Sequence, residues 1–268
     1  MRLDGIEGFI IDLDGTVYRG SQAVEGAMEA IASLRKLGKR VVFLSNRGNI
    51  SRVMCQEKLL GMGIIAAAEE ILLSSSVTAE YLKMNDPQAK VWTLGDTGLR
   101  EELLSWDITL ANIPEEADKL VITLHENLTY KELNLAFRAV RGGAEIIATN
   151  ADKSFPGEEG ESIDVAGMIG AIVSATGKEV KTVIGKPSPV MAEAALRTLG
   201  LPPERCVVIG DSLPSDIALG KRAGMKTALV LSGSTSRQDA ELAMERPDAI
   251  WDSIAELVSL LEPKEELV

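Results

Sequence analysis

A short apolar run near the start of the chain ends abruptly in two carboxylates. The run Phe9-Ile10-Ile11 leads into Asp12-Leu13-Asp14 and then into Gly15-Thr16. An unbroken apolar run of this length is typical of a strand that is buried on both faces of a parallel sheet. Gly15 and Thr16 favour a turn directly after it. We therefore expect both carboxylates to lie where this strand leaves the sheet.

Apolar strands and amphipathic helices alternate along the rest of the chain. Residues 25–37 carry apolar side chains at three-residue steps and predict a helix that ends at Gly38, and a second apolar run follows at 41–44. Two strands joined by a helix are expected to be parallel, with a right-handed crossover. Further strands are predicted at 91–95, 120–124, 146–149, 180–184, 206–209 and 226–231, and further helices at 51–60, 98–105, 129–140, 164–175, up to Ala223 and at 253–261.

This alternation predicts an α/β protein with a Rossmann-like, doubly wound parallel sheet. We expect the sheet domain to comprise residues 1–77 and 179–268, with a second, inserted α/β domain at 78–178. Residues 150–162 are rich in glycine, proline and charge and predict a mobile loop.

Net charge excludes some partners. The chain of 268 residues carries a formal charge of −12, which argues against nucleic acid and against an anionic membrane surface. An anionic small substrate stays open, but its site would need local cations. Cys55 and Cys206 do not form a disulfide framework, and the chain shows neither a signal-peptide pattern nor an apolar run of membrane-spanning length. A cytoplasmic protein is therefore predicted.

Polar groups follow each strand that is predicted to belong to the main sheet. Because the carboxyl ends of parallel strands share one edge, these groups are expected to lie together. Each has an ordinary alternative: the aspartates could be solvated turn residues, the segment after 41–44 could form a turn that caps the next helix, and a loop lysine is usually solvated. The groups are Asp12 and Asp14, then Ser45, Asn46 and Arg47, then Lys186, and finally Asp211, Ser212 and Asp216.

A cluster of carboxylates without histidine or cysteine ligands favours the binding of a hard cation, most simply Mg²⁺. A lysine, a hydroxyl and such a cation together would offset the charge of a phosphate. This combination predicts a phosphoryl-transfer site. The one histidine, His125, follows the strand at 120–124 and is either incidental or a substrate contact. A GxGxxA match at 61–66 follows a helix instead of a strand, so a dinucleotide site is not expected there.

These motifs, in this order, resemble the haloacid dehalogenase superfamily. They stand here as Asp12-Leu13-Asp14-Gly15-Thr16, Leu44-Ser45-Asn46, Gly185-Lys186-Pro187, and Gly210-Asp211-Ser212 with Asp216. The insert between the second and third motifs resembles the NagD-type branch, whose α/β cap of the C2 type closes over the site. Within that branch the chain is most similar to bacterial sugar phosphatases, in Leu44-Ser45-Asn46-Arg47-Gly48-Asn49-Ile50-Ser51 and Ile163-Asp164-Val165-Ala166-Gly167-Met168.

The resemblance implies a covalent mechanism. Asp12 would attack phosphorus, and Asp14 would protonate the leaving alcohol and later deprotonate water. Ser45 and Lys186 would hold the phosphoryl oxygens, with Asn46, Arg47 and His125 as further substrate contacts. Mg²⁺ would be bound by Asp12, the Asp14 carbonyl and Asp211, with Asp216 and Ser212 behind them. Arg47 departs from the Thr-Asn-Asn that many NagD-type members have at the second motif, so substrate preference does not transfer simply.

The expected activity is Mg²⁺-dependent hydrolysis of small phosphomonoesters, with sugar phosphates first among them. A phosphotransferase or mutase that uses the same intermediate is an alternative, and so is a non-catalytic sensor that binds a phosphorylated metabolite. Dehalogenation is disfavoured because it has no use for Asp14 or for the metal carboxylates. The resemblance also suggests a homodimer formed through the cap. Substrate choice is expected to depend on the cap, near His125 and residues 150–162.

Overall fold

The computed structural model describes residues 3–157 and 160–261. No helix in this part of the chain combines the length and the apolarity that crossing a membrane requires. The strands are β1 (Gly8–Ile11), β2 (Tyr18–Arg19), β3 (Gln22–Ala23), β4 (Arg40–Ser45), β5 (Ile71–Leu73), β6 (Val91–Leu94), β7 (Lys119–Ile122), β8 (Glu145–Ala148), β9 (Ser154–Gly157), β10 (Gly160–Ile163), β11 (Val180–Val183), β12 (Cys206–Gly210), β13 (Lys226–Val230) and β14 (Ala249–Trp251).

The helices alternate with these strands, as the sequence predicts. They are α1 (Ala27–Lys36), α2 (Arg52–Gly61), α3 (Ser74–Asn85), α4 (Thr97–Ser105), α5 (Tyr130–Gly142), α6 (Val165–Thr176), α7 (Pro189–Leu199), α8 (Ala218–Arg222), α9 (Arg237–Leu242) and α10 (Glu256–Leu261), with a π-helical turn at Leu213–Ile217.

The chain divides into two compact units. The first unit comprises Met1–Ser45, Gln56–Ile71 and Ala192–Val268, and the second comprises Asn46–Cys55 and Leu72–Met191. These bounds differ from those expected for a catalytic domain and an inserted cap, because Asn46–Cys55 and the residues at 72–77 and 179–191 also group with the second unit. The predicted division at residues 77 and 179 stays a prediction.

A parallel sheet with the strand order β14-β13-β12-β1-β4-β5 forms the centre of the first unit. β1 pairs in parallel with β4 on one side and with β12 on the other, so that Ile11 lies opposite Phe43 and Ile209. The chain continues outward from β1 through β4 and later outward through β12, so its direction reverses between β1 and β12. Ligands bind outside the carboxyl ends of strands at such a switch point. The doubly wound sheet predicted from sequence is confirmed.

The second unit has its own parallel sheet, with the order β11-β8-β7-β6. Leu120 and Ile122 of β7 and Ile146 of β8 pack with Ala136 of α5 and Met168 of α6 in one buried apolar cluster. α5 begins with a capping box, in which the Thr129 hydroxyl accepts from the Glu132 N–H and the Glu132 carboxylate accepts from the Thr129 N–H.

The structure corrects the sequence analysis at several elements. The segment at 150–162 is not a loop throughout, because β9 and β10 pair as an antiparallel hairpin. Its glycines and charged residues interrupt the alternation of apolar and polar side chains that would predict a strand. Backbone pairing between β9 and β10 instead determines the structure. Glu158 and Glu159, also in the predicted loop, lie outside the described residues. Short strands β5 and β14 and helix α3 were not predicted, because each run is too short or too rich in serine to show a period.

A charge pair fastens the segment after β4 within the second unit. The Glu102 carboxylate, 3 % exposed, accepts from the Arg52 backbone N–H at 2.5 Å and from Arg52 Nε at 3.0 Å. The Arg52 guanidinium also lies 5.9 Å from the Trp106 ring. Nearby, the Ser75 hydroxyl donates to the Ile50 carbonyl at 2.7 Å. These contacts hold residues 46–52 to α3 and α4.

Asp164 caps α6 with a partly desolvated carboxyl group. Its Oδ1 accepts from the Val165 N–H at 2.7 Å. Burial raises the pKa of Asp164 to about 6, and the charge of Asp152 adds to this, while the Val165 hydrogen bond and the charge of Arg47 oppose it. The folded protein therefore binds a proton at Asp164 under conditions where the unfolded chain has lost it.

The pH dependence of unfolding tests this. Between the ordinary pKa of 3.8 and about 6, the folded state keeps a proton that the unfolded state releases, so the stability contributed by Asp164 falls as pH rises through this window. Asp164→Asn keeps an oxygen that accepts from Val165 and removes the titration. We expect the melting temperature of the variant, relative to wild type, to rise between pH 4 and 6 and then level off. A difference that is flat with pH would contradict the assignment, and exposed Asp107→Asn serves as the control.

Candidate active site

Three buried carboxylates converge in the first unit. Asp12, Asp211 and Asp216 each offer an oxygen, and these oxygens lie within 4.8 Å of one another. Asp12 directly follows β1 and Asp211 directly follows β12, and the Asp12 N–H donates to the Ile209 carbonyl at 2.9 Å. The parallel pairing of these two strands therefore brings both aspartates to the switch point of the sheet. Asp12 and Asp211 are each 7 % exposed, and Asp216 is 1 % exposed.

Backbone groups enclose Asp211. The Ser234 N–H donates to Asp211 Oδ2, and the Ser234 hydroxyl donates to the Asp211 carbonyl at 3.2 Å. Gly15, at φ +86°, approaches so closely that a Cβ there would come within 2.6 Å of Asp211 Oδ2, and a Cβ at Gly233 would collide with the same carboxylate. Only glycine at these two positions allows both loops to approach the Asp211 carboxylate. Their close approach restricts the orientation of that carboxylate.

Asp216 reaches the cluster from the π-helical turn that follows β12. Its Oδ2 accepts from the Ser212 N–H at 3.1 Å, and its own N–H donates to the Ser212 carbonyl at 2.9 Å. A Cβ at Gly210 would overlap the Asp216 carboxylate. The Gly-Asp-Ser sequence thus folds the turn back onto its own strand end. Asp216 was expected behind the metal ligands; its carboxylate lies beside those of Asp12 and Asp211, and its role stays a prediction.

The carboxylate cluster fits a hard divalent cation. Three carboxylates within 4.8 Å repel one another strongly when they are buried and ionised, and a cation between them removes that cost. The donor atoms are all oxygen, with no sulfur or nitrogen among them, which matches the ligand preference of Mg²⁺. The close backbone approach at Gly15 and Gly233 leaves no space for a Cβ beside the Asp211 carboxylate.

Asp14 lies two residues beyond Asp12 and has a different environment. The buried Tyr18 hydroxyl donates to Asp14 Oδ2 at 3.3 Å. The Gly15 N–H donates to the Tyr18 carbonyl at 2.8 Å, which closes the loop between them. Lys58 Nζ lies 3.8 Å from the centre of the Tyr18 ring. Asp14 is half-buried and lies outside the three-carboxylate cluster, so its side chain is more exposed than that of Asp12.

Ser45 is the last residue of β4 and is buried. Because β4 pairs in parallel with β1, with Phe43 opposite Ile11, Ser45 lies at the same edge of the sheet as Asp12. We expect these two residues to share a sheet edge because their strands are predicted to be parallel. The parallel pairing of β1 with β4 confirms this.

The remaining predicted residues belong to the second unit. Lys186 follows β11 and is 5 % exposed. Asn46 binds its backbone on both sides: Asn46 Oδ1 accepts from the Lys186 N–H at 2.7 Å, and Asn46 Nδ2 donates to the Lys186 carbonyl at 3.2 Å. Arg47 places its guanidinium 6.0 Å from the ring of Phe155 in β9.

His125 lies between two carboxylates of the second unit. Its Nδ1 is 3.0 Å from Asp96 Oδ1, and its Nε2 is 3.1 Å from Glu132 Oε1. Hydrogen bonds from Thr129, followed by the one with His125, lower the pKa of Glu132 to about 2. Both ring nitrogens therefore face protein carboxylates. A role for His125 as a substrate contact stays a prediction.

Sequence reasoning missed several residues that shape these sites. Tyr18 has a signal in hindsight, because it follows Asp14 by only four residues, where the turn after the motif enters β2. Asp152 and Asn150 contact Asn46 across more than a hundred residues of chain. Ser234 lies more than twenty residues beyond the carboxylate that it binds. No local sequence pattern predicts the contacts of Asp152, Asn150 and Ser234.

Comparison with known proteins agrees with these features. A family model described as haloacid dehalogenase-like hydrolase matches residues 9–109, and a second HAD-hydrolase-like model matches residues 183–257. The sugar-phosphatase AraL of Bacillus subtilis is 55 % identical over 255 residues, which cover 95 % of this chain and 93 % of that protein.

Solved structures show the same architecture. A 4-nitrophenylphosphatase from Thermotoga maritima superposes with a TM-score of 0.92 at 31 % identity, covering 97 % of this chain and 99 % of that one. NagD from E. coli K-12 superposes with a TM-score of 0.85 at 28 % identity, covering 94 % and 98 %. Together with the motifs and the carboxylate cluster, these similarities show that the chain belongs to the haloacid dehalogenase-like hydrolase family, in its NagD-type branch.

Proposed function

We propose that this protein is a Mg²⁺-dependent phosphatase that hydrolyses small sugar phosphates through an aspartyl-phosphate on Asp12. The observation that carries the proposal is the convergence of Asp12, Asp211 and Asp216 at the switch point of the sheet. The preference for sugar phosphates is supported by the similarity to a protein named as a sugar phosphatase over nearly the whole of both chains.

Asp12 is the nucleophile in this proposal. One of its carboxylate oxygens forms a bond to phosphorus, and the bond between phosphorus and the leaving alcohol breaks. Asp14 gives its proton to that alcohol oxygen. In the second step Asp14 takes a proton from water, the water oxygen bonds to phosphorus, and the Asp12 oxygen leaves with its electron pair. Two moderate barriers thus replace a single high one.

Asp14 suits the acid–base role better than the carboxylates of the cluster do. It is half-buried, whereas Asp12, Asp211 and Asp216 are almost completely buried. The Tyr18 hydroxyl donates to Asp14 Oδ2 and so helps to orient the carboxyl group that would transfer the proton. The two aspartates of one Asp-Leu-Asp motif can therefore serve as nucleophile and as acid–base group.

Asp12 and Asp211, with the Asp14 carbonyl and with Asp216 beside them, would hold Mg²⁺. The bound ion would reduce the repulsion between the Asp12 carboxylate and an anionic phosphate. By resemblance to the family, Ser45 and Lys186 would hold the phosphoryl oxygens, and Arg47 and His125 stay candidates for substrate contact. The homodimer and the cytoplasmic location also stay predictions.

The substrate class is tested by phosphate release from a panel of sugar phosphates, nucleotides and pyridoxal phosphate, with Mg²⁺ and with a chelator. We expect turnover that needs Mg²⁺ and is fastest with a sugar phosphate. Turnover that produces a new phosphoester only when an acceptor is added would favour a phosphotransferase. Binding of phosphorylated compounds without turnover would favour a sensor.

Replacement of Asp12 tests the covalent step. Asp12→Asn removes the nucleophile but keeps the backbone hydrogen bond to Ile209, so we expect kcat to fall by at least about three orders of magnitude. Retained activity in Asp12→Asn would refute the mechanism. The matched control is Asp107→Asn, since residue 107 is exposed and has φ +53°, a conformation that asparagine tolerates.

Replacement of Asp211 tests the metal site separately from catalysis. Asp211→Asn keeps an oxygen that can accept from the Ser234 N–H but loses a charge. We expect the Mg²⁺ concentration for half-maximal activity to rise by about tenfold or more. The increase in melting temperature that Mg²⁺ produces in the wild type should shrink in parallel, because a ligand stabilises only the state that binds it. An unchanged Mg²⁺ dependence in both measurements would show that the ion binds elsewhere.

A further inference from the structure

We infer that Asn46 is a positioning residue that sets the backbone at Lys186, with Asp152 holding Asn46 in turn. This inference rests on the proposed function, which assigns to Lys186 the task of holding phosphoryl oxygens. Sequence reasoning placed Asn46 among the substrate contacts. The hydrogen bonds of its side chain assign it a different task.

The Asn46 side-chain amide forms hydrogen bonds with both the backbone N–H and the backbone carbonyl of one residue. Oδ1 accepts from the Lys186 N–H at 2.7 Å, and Nδ2 donates to the Lys186 carbonyl at 3.2 Å. The second hydrogen of Nδ2 goes to Asp152 Oδ2 at 2.9 Å. Both N–H groups of the amide are thus used within the protein, and the side chain has no further hydrogen to donate to a substrate.

This pairing is the one that a neighbouring strand would offer to a residue in a sheet. Here no strand is needed, because one amide supplies both the acceptor and the donor. Among the side chains of this size, only asparagine can do so at one position. An aspartate cannot donate, and a serine or threonine has a single oxygen. Buried backbone groups that lose their partners are costly, so the amide strongly favours one backbone conformation at Lys186.

The surroundings are built to keep the Asn46 amide in place. The Asn46 carbonyl accepts from the Ser74 hydroxyl at 2.7 Å and from Asn150 Nδ2 at 2.9 Å. Asn150 Oδ1 in turn accepts from the Asp152 N–H at 3.0 Å. Asn46, Asn150 and Asp152 therefore form a closed ring of hydrogen bonds, in which each residue touches the other two.

Gly185 is an independent sign of the same arrangement. A Cβ at residue 185 would lie 2.7 Å from Asn46 Oδ1 and 2.6 Å from the Thr149 carbonyl. The backbone before Lys186 is thus packed against the Asn46 amide without space for any side chain. Asp152 also joins this ring to α6, since its carbonyl accepts from the Ala166 N–H at 3.0 Å.

The consequence concerns the direction of the lysine side chain. Lys186 is 5 % exposed, and its ammonium is carried at the end of a flexible four-carbon stem. Fixing the backbone at the base of that stem limits the positions that the ammonium can reach. A group that binds a phosphoryl oxygen loses much of its effect when it is displaced by about 1 Å. Asn46 would therefore contribute to catalysis without touching the substrate.

Asn46→Asp tests this, because it keeps the shape and Oδ1 but loses both donated bonds and places a charge beside Asp152. We expect kcat/KM to fall on the order of 10–100-fold, and the inhibition constant of inorganic phosphate to rise with KM. The matched control is Asn85→Asp, an identical change at an exposed position of α3, which should leave both values unchanged.

The second variant exchanges the two partners. In Asn46→Asp/Asp152→Asn the amide at 152 can donate to the carboxylate at 46, so the bond between the two positions returns and the added repulsion disappears. We expect this double variant to regain part, but not all, of the kcat/KM lost in Asn46→Asp, because the hydrogen bond to the Lys186 carbonyl does not return. If Asn46 instead contacts the substrate, the change at 152 recovers nothing, and the inference is wrong.

A measurement without turnover separates this inference from the proposed function. The rate at which an amine reagent labels Lys186, read by mass spectrometry against exposed Lys181 in the same chain, reports how well the Lys186 segment is held. We expect faster labelling in Asn46→Asp and a smaller increase in Asp152→Ala, which still leaves the Lys186 pairing. Unchanged labelling in both variants would overturn the inference. A wild type without phosphatase activity but with this labelling pattern would refute the proposed function alone.

Discussion

Mutual repulsion of carboxylates at the end of the central strands is the constraint around which the first unit is built. Asp12, Asp211 and Asp216 approach within 4.8 Å while almost completely buried. Such an arrangement destabilises the folded state, because burying each charge costs free energy unless an opposite charge compensates it. The parallel register of β1 and β12 nevertheless enforces it, since both strands end at the same edge. The fold thus brings together three carboxylates that could hold a cation.

Glycine makes that geometry possible at a few positions. Gly15 and Gly233 let two loops close onto Asp211, and Gly210 lets the π-helical turn bring Asp216 back toward the strand end. A side chain at any of these positions would push a carboxylate out of the cluster. Glycine is needed at these positions because the neighbouring carboxylates leave no space for a Cβ, not because the loops have to be flexible. The loops that they allow are held by backbone hydrogen bonds, such as the one from Ser234 to Asp211.

Buried polar contacts hold the motif residues of the second unit in place. The segment after β4 is fastened by the pair of Arg52 with Glu102, and from this segment Asn46 reaches the backbone of Lys186. Asp152 and Asn150 complete the arrangement from the turn after β8. Two motifs that are 140 residues apart in sequence are therefore joined by one amide side chain. His125 follows the same principle, since protein carboxylates face both of its ring nitrogens.

The sequence by itself determined the alternation of strands and helices, the parallel sheet and the motif residues at the strand ends, because apolar periodicity and abrupt changes of polarity are local properties. It also determined the family, through short motifs in a defined order. Only the tertiary structure decided that Asp216 joins Asp12 and Asp211, that 154–163 forms a hairpin, and that Asn46 pairs with Lys186. These features depend on register, loop closure and contacts between distant segments, which no local pattern of residues encodes.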